Sequence, residues 1–520
     1  MVLALDRVQN GPVNANPIPV RDVHLAGLLA GMVSLSVLYA ASTLLSDAPF
    51  APAAAGEALI RWVPGDISTF FIEVLKHWAR RLVTVGALGA ALGLGVLVLT
   101  ATTGPRGPRP ALAAGMLAVV AAAGSFVSPS QVANPAQVVL AVTIAFIAYV
   151  LTARSFLAMV AGARAEPDEG RRRVIRVGVG TAAGVAVGGT ALGYVGRMFG
   201  GPNTEVTLVA PTEPVSAPVD DGFPDIPGLS PEITPVADHY VVDINLVQPA
   251  VDATGWKLRV FGAVDNPLEL TFRQLQQRFE VVEEYSVLCC VSNEVGGDLV
   301  GNSAWGGVRL ADVLGAAGVK EGAMDLVFRA ADGYSDSVPL TAVDESVLLA
   351  VSQNGKPLTQ QHGFPCRVRI PKIFGMKNVK WLESIELVPS DYVGYWQERG
   401  WSDEALVRTQ SRIDVAGDDG TAATGEEVWI AGIAWAGDRG IDRVEVTTDG
   451  GETWSEARLK RPAAADAWTL WAYRWTPERA GETTVAVRAT DGDGNTQTAT
   501  AADPHPSGAT GYHTRVVRVS

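Results

Sequence analysis

The stretch Leu288-Cys289-Cys290-Val291-Ser292-Asn293, followed by Gly296-Gly297 and by Asn302-Ser303-Ala304-Trp305, holds two of the three cysteines in a chain of 520 residues. Apolar residues leading into small and polar ones describe a buried strand that ends in a loop, with a thiol at its tip. A thiolate is a soft donor, suited to a thiophilic transition metal or to nucleophilic attack. Buried cysteine is more often a small hydrophobe, and an adjacent pair alone indicates nothing further. Three cysteines cannot build a disulfide framework, and neighbours in sequence pair only under strain. A four-thiolate iron–sulfur cluster is equally excluded for one chain.

A second segment lies seventy residues on: His362-Gly363-Phe364-Pro365-Cys366-Arg367, continuing to Pro371, Gly375, Lys377 and Asn378-Val379-Lys380-Trp381. It sets a histidine, an arginine and two lysines among glycines and prolines. Arg offers a planar fork to phosphate, Lys a point charge, and Gly lets backbone N–H groups approach an anion. A cluster of this kind is usually a solvated face. In sequence with the cysteine segment it describes a site for a phosphorylated cofactor.

The pattern C-V-S-N with the following G-G and N-S-A-W resembles the molybdenum-ligating segment of the sulfite oxidase family. H-G-x-P-x-R, then G-x-K-x-V-K-W, resembles the part of that family which grips the pterin's phosphate tail and ring edges. The resemblance spans roughly residues 230–520. It implies a molybdenum–molybdopterin cofactor, with Cys290, three residues before Asn293, as metal ligand and catalytic thiolate. Cys289 is then a neighbour packed into the strand. The cofactor-binding set it implies is Asn293, Asp332, His362, Arg367, Lys377, Asn378, Val379 and Lys380. Cys366 stands where a small apolar residue is common and reads as packing.

The third matching region is C-terminal. Residues 428–435 alternate small and large side chains, 443–448 alternate sharply, and Asp449-Gly450-Gly451 closes a hairpin before Trp454. Further strands are expected at 468–475 and 484–489, and short strands at this spacing predict an immunoglobulin-like sandwich. The string A-W-A-G…R-V-E-V-T-T-D-G-G-E-T-W looks like the family's second domain, commonly a dimer interface. Asp491, Asp493 and Asn495 begin with calcium-loop spacing, but no glutamate stands twelfth, so a hairpin turn is expected.

The first two hundred residues are apolar in long runs: 23–45, 82–101, 111–127, 136–153 and 174–196, each near the roughly 20 residues that cross a bilayer. Five such runs exceed anything a signal peptide provides. Arg106 and Arg109 lie between the second and third runs, and Arg164, Arg171, Arg172 and Arg173 between the fourth and fifth. Arginine-bearing loops face the cytoplasm, which puts the N-terminus inside and everything after Gly196 outside, against the weaker vote of Arg80 and Arg81. Arg171-Arg172-Arg173-Val174-Ile175-Arg176 also has the form of a twin-arginine export signal, fitting a domain that folds around its cofactor before crossing. From Thr204 to Asp238 prolines recur, as in an extended spacer. The expected fold is therefore multi-domain: a cytoplasmic tail (1–22), a five-helix transmembrane anchor (23–196), a Pro-rich linker (197–236), an α+β molybdopterin-binding domain of the sulfite oxidase type (237–400) and an all-β immunoglobulin-like dimerisation domain (401–520).

A net charge of −14, carried mostly by the soluble half, argues against nucleic acid or anionic lipid as partner. The six histidines, His24, His77, His239, His362, His505 and His513, include none in mid-span, so no haem is expected in the anchor. Electrons would pass to an external carrier, a cytochrome or a quinone-linked protein. What the resemblance implies is oxygen-atom transfer to or from a small, sulfur-containing substrate on the outer face of a cell membrane, with a homodimer through the C-terminal domain. Sulfite-oxidising members carry an Arg-Asn-His run where this chain has His239-Tyr240-Val241-Val242-Asp243-Ile244-Asn245, closer to the bacterial methionine-sulfoxide reductase branch. After Trp396-Gln397 they carry Asp and a catalytic tyrosine, where this chain has Arg399-Gly400-Trp401. Arg399 and Trp401 are taken as candidate catalytic residues, Arg412 as a weaker one. The departures weaken sulfite as the substrate, leave the general class intact, and make reduction of a methionine sulfoxide or another S- or N-oxide the alternative reading. A non-catalytic surface scaffold that keeps the fold is the alternative of another class.

Overall fold

The computed structural model describes residues 18–45, 48–63, 78–104, 107–126, 133–162, short pieces of 176–191, 204–245 and 248–520. The chain divides into a helical unit within the first 201 residues and a second unit that holds residues 202–520.

The helical unit contains α1 (Val20–Leu44), α2 (Ala51–Trp62), α3 (Trp78–Ala101), α4 (Pro110–Phe126) and α5 (Pro135–Gly162). Small residues let these helices approach closely. A Cβ on Gly27 would sit 2.9 Å from the Val96 backbone, and the Tyr149 hydroxyl donates to the Gly95 carbonyl at 2.7 Å. Three segments, Val20–Leu44, Leu82–Ala101 and Pro135–Ala161, are long and apolar enough to cross a membrane. Among the described residues this corrects the expectation of five spans. The 17 residues of α4 rise only about 26 Å, short of a hydrocarbon layer about 30 Å thick. The run 174–196 is described only in short helical pieces, and Arg106, Arg164, Arg171, Arg172 and Arg173 lie outside the described residues.

Residues 204–238 form no helix or strand. Expected as a spacer, they are instead a strap laid along the folded unit. Thr212 N–H donates to the Val281 carbonyl (2.9 Å) and Thr234 N–H to that of Asn302 (2.8 Å). Ile226 is buried with Ala431 and Ala472, and Lys460 pairs with Glu232. Proline keeps the backbone extended, and the apolar residues between prolines supply the adhesion that a polar linker lacks.

Two sheets follow. In the first, β1 (Lys257–Gly262) pairs in parallel with β10 (Leu382–Val388), while β2 (Leu268–Thr271), β5 (Asp325–Ala330) and β6 (Ser335–Pro339) extend it antiparallel in the order β2-β1-β10-β5-β6. A capping box of Thr271 and Gln274 starts α6 (Phe272–Arg278), and α7 (Leu310–Ala317) stops at Gly318 in a left-handed conformation. The second sheet runs β3 (Val281–Cys289), β4 (Val300–Arg309), β7 (Leu348–Gln353), β8 (Lys356–Pro357), with β9 (Arg367–Arg369) also on β7. Alternate residues of β3 enter different cores: Val287 and Cys289 one, Val282 and Leu288 the other. This strand, buried on both faces, ends at the cysteine pair.

The C-terminal region is a two-sheet, immunoglobulin-like sandwich. One sheet orders β11 (Gln410–Ala416), β13 (Val428–Trp435), β17 (Thr469–Trp475) and β16 (Arg458–Leu459). The other orders β12 (Thr421–Ala422), β19 (His513–Val519), β18 (Gly481–Asp491), β14 (Ile441–Thr447) and β15 (Ser455–Glu456). Ile413, Ile430, Val444, Trp471, Val485 and Val517 fill the space between them. Asp491 closes the turn that follows β18 by accepting from Asn495 N–H (2.9 Å), and it pairs with Arg439.

Candidate functional site

Cys289 closes β3 and faces the core; Cys290 begins the loop that leaves it. That loop is tied to itself. Cys290 N–H donates to the Leu299 carbonyl (2.9 Å), Asn293 N–H to that of Cys290 (3.1 Å), and Leu299 N–H to Asn293 Oδ1 (2.8 Å). The Cys290 Sγ lies 3.0 Å from the Ser292 hydroxyl. Burial raises the thiol's pKa, while hydrogen bonds from Ser292 and Val291 and the charge of Lys380 pull it the other way. A metal ion brings the thiolate form within reach. Among the described residues no group of three or more His, Cys, Asp or Glu can hold a metal ion, so a metal at Cys290 needs a guest to supply its other ligands.

Such a guest would find a cationic floor. β9 reads Arg-Val-Arg, and strand alternation turns Arg367 and Arg369 to one face, over the ring of Trp305 at 5.2 and 5.9 Å. Both guanidiniums are almost wholly buried. Arg367 donates to the His362 carbonyl (3.1 Å) and the Asn378 carbonyl (3.0 Å). Arg369 donates to Asn378 Oδ1 (3.0 Å) and to the Val287 carbonyl. Neither has a carboxylate within 4.0 Å among the described residues, and the Nε of each has no acceptor. Burial pulls Arg367 down to about 10; burial and then its neighbour pull Arg369 down to about 9. Two buried cations with carboxylates only at longer range, Asp243 for Arg367 and Asp466 and Glu284 for Arg369, are unfavourable in a protein alone and favourable beneath a phosphate. The donor set fits a phosphorylated anionic cofactor.

Segment 236–245 forms a wall of the same site. The Val236 carbonyl accepts from His362 Nε2 (3.1 Å), Asp243 pairs with Lys380, and Asn245 donates to Asp332 Oδ2 (3.0 Å). His239 packs edge-on to Trp305 and His362 and stacks with Tyr240, and its buried Nε2 has no partner. Burial, then His362, holds His239 down to about 3; burial, then Arg367, holds His362 down to about 4. Both rings are neutral at neutral pH, each giving its one N–H to a backbone carbonyl, His362 Nε2 to Val236 and His239 Nδ1 to Tyr240 (3.4 Å), which leaves His239 Nε2 a buried acceptor. The Tyr240 hydroxyl fits only because position 375 is glycine: a Cβ there would sit 2.6 Å from it and 3.3 Å from the Cys289 carbonyl. Burial, followed by the neighbouring thiols of Cys290 and Cys289, raises this phenol well above its ordinary value.

The expected site residues divide into two sorts. Cys290, His362, Arg367, Lys380 and the Asp332 loop meet around this wall and floor. Asn293 shapes the cysteine loop, and its buried Nδ2 has no partner. Lys377 is committed elsewhere: its ammonium donates to Asp336 (3.2 Å), Asp403 (2.7 Å) and the Ser337 carbonyl (2.7 Å). Asn378 bonds with all its side-chain groups to Ile370, Arg369, Ile373 and Phe374, and Val379 is core. Arg399 lies 3.7 Å over the Tyr395 ring and donates to that residue's carbonyl (2.7 Å). Trp401 is buried edge-on to Trp396 and His505. Arg369 is the residue sequence reasoning missed; its signal was the Arg-x-Arg spacing on a strand.

Family models match residues 245–396 as an oxidoreductase molybdopterin binding domain and 406–503 as a Mo-co oxidoreductase dimerisation domain. The mitochondrial sulfite oxidase of Homo sapiens is 33% identical over 310 residues, 50% of this chain and 56% of that enzyme, so the chain spans little more than half of that relative's length. An uncharacterized oxidoreductase, YuiH, of Bacillus subtilis is 36% identical over 151 residues, covering 29% of this chain and 74% of YuiH. Among solved structures, the sulfane dehydrogenase SoxCD of Paracoccus pantotrophus superposes with a TM-score of 0.50 at 22% identity, over 61% of this chain and 96% of that one. That likeness concerns the fold.

Proposed function

Since the chain belongs to the sulfite oxidase family of molybdopterin-binding oxidoreductases, we propose that it carries molybdenum–molybdopterin at Cys290 and catalyses oxygen-atom transfer to or from a small substrate. The observation that carries this reading is the pair of buried guanidiniums of Arg367 and Arg369, with no carboxylate in ion-pair contact, of which Arg369 bonds the Val287 carbonyl on the strand that leads to the Cys290 thiol. When bound, the cofactor supplies a metal that exchanges an oxygen atom and two electrons with substrate. Cys290 Sγ would hold that metal and Arg367 and Arg369 would face the phosphate, while neutral His362 and His239 spend their single N–H groups on the Val236 and Tyr240 carbonyls and so position the wall. Lys380 screens the thiolate, and Tyr240 keeps its proton on Oη across the working pH range.

The preferred substrate is a neutral S- or N-oxide. An anion such as sulfite needs convergent cations, and Arg399 instead lies against Tyr395. Three apolar helices long enough to span support anchoring in a cell membrane. In this reading the catalytic unit lies on the outer face, an external cytochrome or quinone-linked protein exchanges the electrons, and the sandwich pairs two copies.

Elemental analysis of the detergent-purified chain beside Cys290→Ser tests the central reading. About one molybdenum per chain in the parent, lost or inert in the variant, is expected; no metal in either, from a host that makes the cofactor, refutes it. Dimethyl sulfoxide or methionine sulfoxide with reduced viologen, against sulfite with ferricyanide, decides the direction. A topology reporter fused after residue 203 decides the side of the membrane.

A further inference from the structure

We propose that Arg412 and His513, both from the sandwich, are positioning residues for the Cys290 thiolate, acting through the Gly296–Gly297 turn of its loop. The inference rests on the reading of Cys290 as metal ligand and goes beyond it, giving the second domain a part in the metal site of its own protomer.

The geometry comes from three chain segments meeting at one guanidinium. Arg412 Nε donates to Asp414 Oδ1 (2.7 Å), one Nη to the Gly297 carbonyl (2.9 Å) and the other to the Ser230 hydroxyl (2.8 Å). Asp414 in turn accepts from Ser230 N–H (3.1 Å), which closes a ring between β11 and the strap. A fork held at all three nitrogens is fixed in place, unlike a flexible surface arginine. Gly297 N–H donates to the Glu294 carbonyl (2.9 Å), and a Cβ on Gly297 would fall 2.6 Å from Asn293 Oδ1. Holding Gly297 therefore holds Asn293, which caps Leu299, whose carbonyl receives the Cys290 N–H.

His513 seals the other side. Its Nδ1 accepts from Ile413 N–H (2.9 Å), which orients the ring against Gly296. Gly296 has a left-handed φ of 76°, and a Cβ there would meet the imidazole at 2.4 Å, so the turn has no slack toward the sandwich. The loop's own hydrogen bonds tie it to itself, whereas Arg412 and His513 reference it to a rigid sheet. A metal-ligating side chain needs that second reference, because its geometry is held within about 0.5 Å by the residues behind it.

The test follows one sulfur in the full-length chain. Cofactor-free protein is treated with iodoacetamide and alkylation at each cysteine is timed by mass spectrometry, with buried Cys366 as internal reference. Arg412→Ala is expected to speed alkylation of Cys290 about tenfold or more, the ratio for a tether weakened by about 1.4 kcal/mol, with Cys366 unchanged. Arg412→Lys should fall between, since an ammonium cannot span all three acceptors. In cofactor-loaded protein the same variants should shift the sulfur-to-molybdenum charge-transfer band, while exposed Arg518→Ala changes neither readout. Should Arg412→Ala fail to fold, Ser230→Ala and His513→Ala carry the test in the same direction. Folded variants with the parent's alkylation rate and spectrum would overturn the proposal. A parent that takes up no molybdenum removes the premise, a failure distinguishable from the first.

Discussion

Replacing a buried residue ordinarily costs stability, yet Arg369→Met should stabilise the cofactor-free protein and weaken the loaded one. Arg369 lies about 3.5 pH units below an ordinary guanidinium, because burial and then Arg367 disfavour its charge. A group whose folded pKa falls below its unfolded one destabilises the fold fully at pH values under both, here by about 5 kcal/mol at neutral pH. Methionine fills similar volume without charge. It leaves Asn378 Oδ1 bonded to Ile370 N–H (2.7 Å) and deprives the Val287 carbonyl of its side-chain donor. Those losses cost roughly 2–3 kcal/mol together. The balance is a gain of about 2 kcal/mol, or roughly 5 °C in Tm for a domain of this size. With cofactor present the sign reverses, since the phosphate loses a charge-assisted partner, and molybdenum retained after dialysis should fall about tenfold for a loss of about 1.4 kcal/mol. Thermal melts of the detergent-solubilised chain from hosts with and without cofactor synthesis make the comparison. A cofactor-free variant destabilised by 2 kcal/mol or more, with molybdenum occupancy unchanged, would show that Arg369 is structural and that the cationic floor was misassigned.

Lys377→Met should destabilise both forms alike by about 3–5 kcal/mol, because it strands buried Asp336 without its cation; equal Tm losses with and without cofactor check this. His362 and His513 titrate near 4 and His239 near 3, all below an unfolded value near 6.5. The unfolded chain therefore binds protons first as pH falls, and stability is lost between pH 6.5 and 4, by up to about 3 kcal/mol per ring. Asp466, raised to about 6 by burial, opposes this as a single group, so guanidinium midpoints at pH 7.5 and 5 should still differ in the histidines' direction. Gly296→Ala should cost about 1–3 kcal/mol through left-handed strain and the clash with His513, and His513→Ala in the same chain should recover the steric share in a double-mutant cycle. Cys366→Ala should lower stability by about 1–2 kcal/mol and leave molybdenum content untouched, the mark of a packing thiol.

Composition and spacing reached the architecture because each domain writes its own period: long apolar runs, then a buried strand ending in small residues, then short alternating strands. The same features singled out Cys290 and Arg367 as candidates. Residue type could not say where a cation's charge would be spent. Lys377 and Lys380 stand three apart in one motif and look equivalent, yet Lys377 points at Asp336 and Asp403 while Lys380 reaches Asp243. Asn378 looks like a ligand-facing amide but stitches its own loop to Arg369 and Ile370. Arg399 falls to the same ambiguity, its fork turned onto Tyr395. Two helices of similar composition likewise differ by a few residues in whether they can span, and only the observed ends of α4 decide it.

The strap shows why the site could not be assembled from motifs alone. Its composition says extended and nothing about adhesion, because prolines prevent both helix and ladder while leaving carbonyls and intervening apolar side chains free to bind a surface. In the fold those carbonyls become structural: that of Val236 receives His362, and that of Glu232 receives Asn302 and Trp468. The same segment supplies Ser230 to Arg412 and continues into His239, Tyr240 and Asp243. A chain that enters the unit through such a strap builds one wall of the proposed cofactor site before its first strand begins. The Cys290 loop, the arginine pair and the Arg412–His513 face of the sandwich therefore share a single scaffold, and a change at that face should register at the sulfur of Cys290.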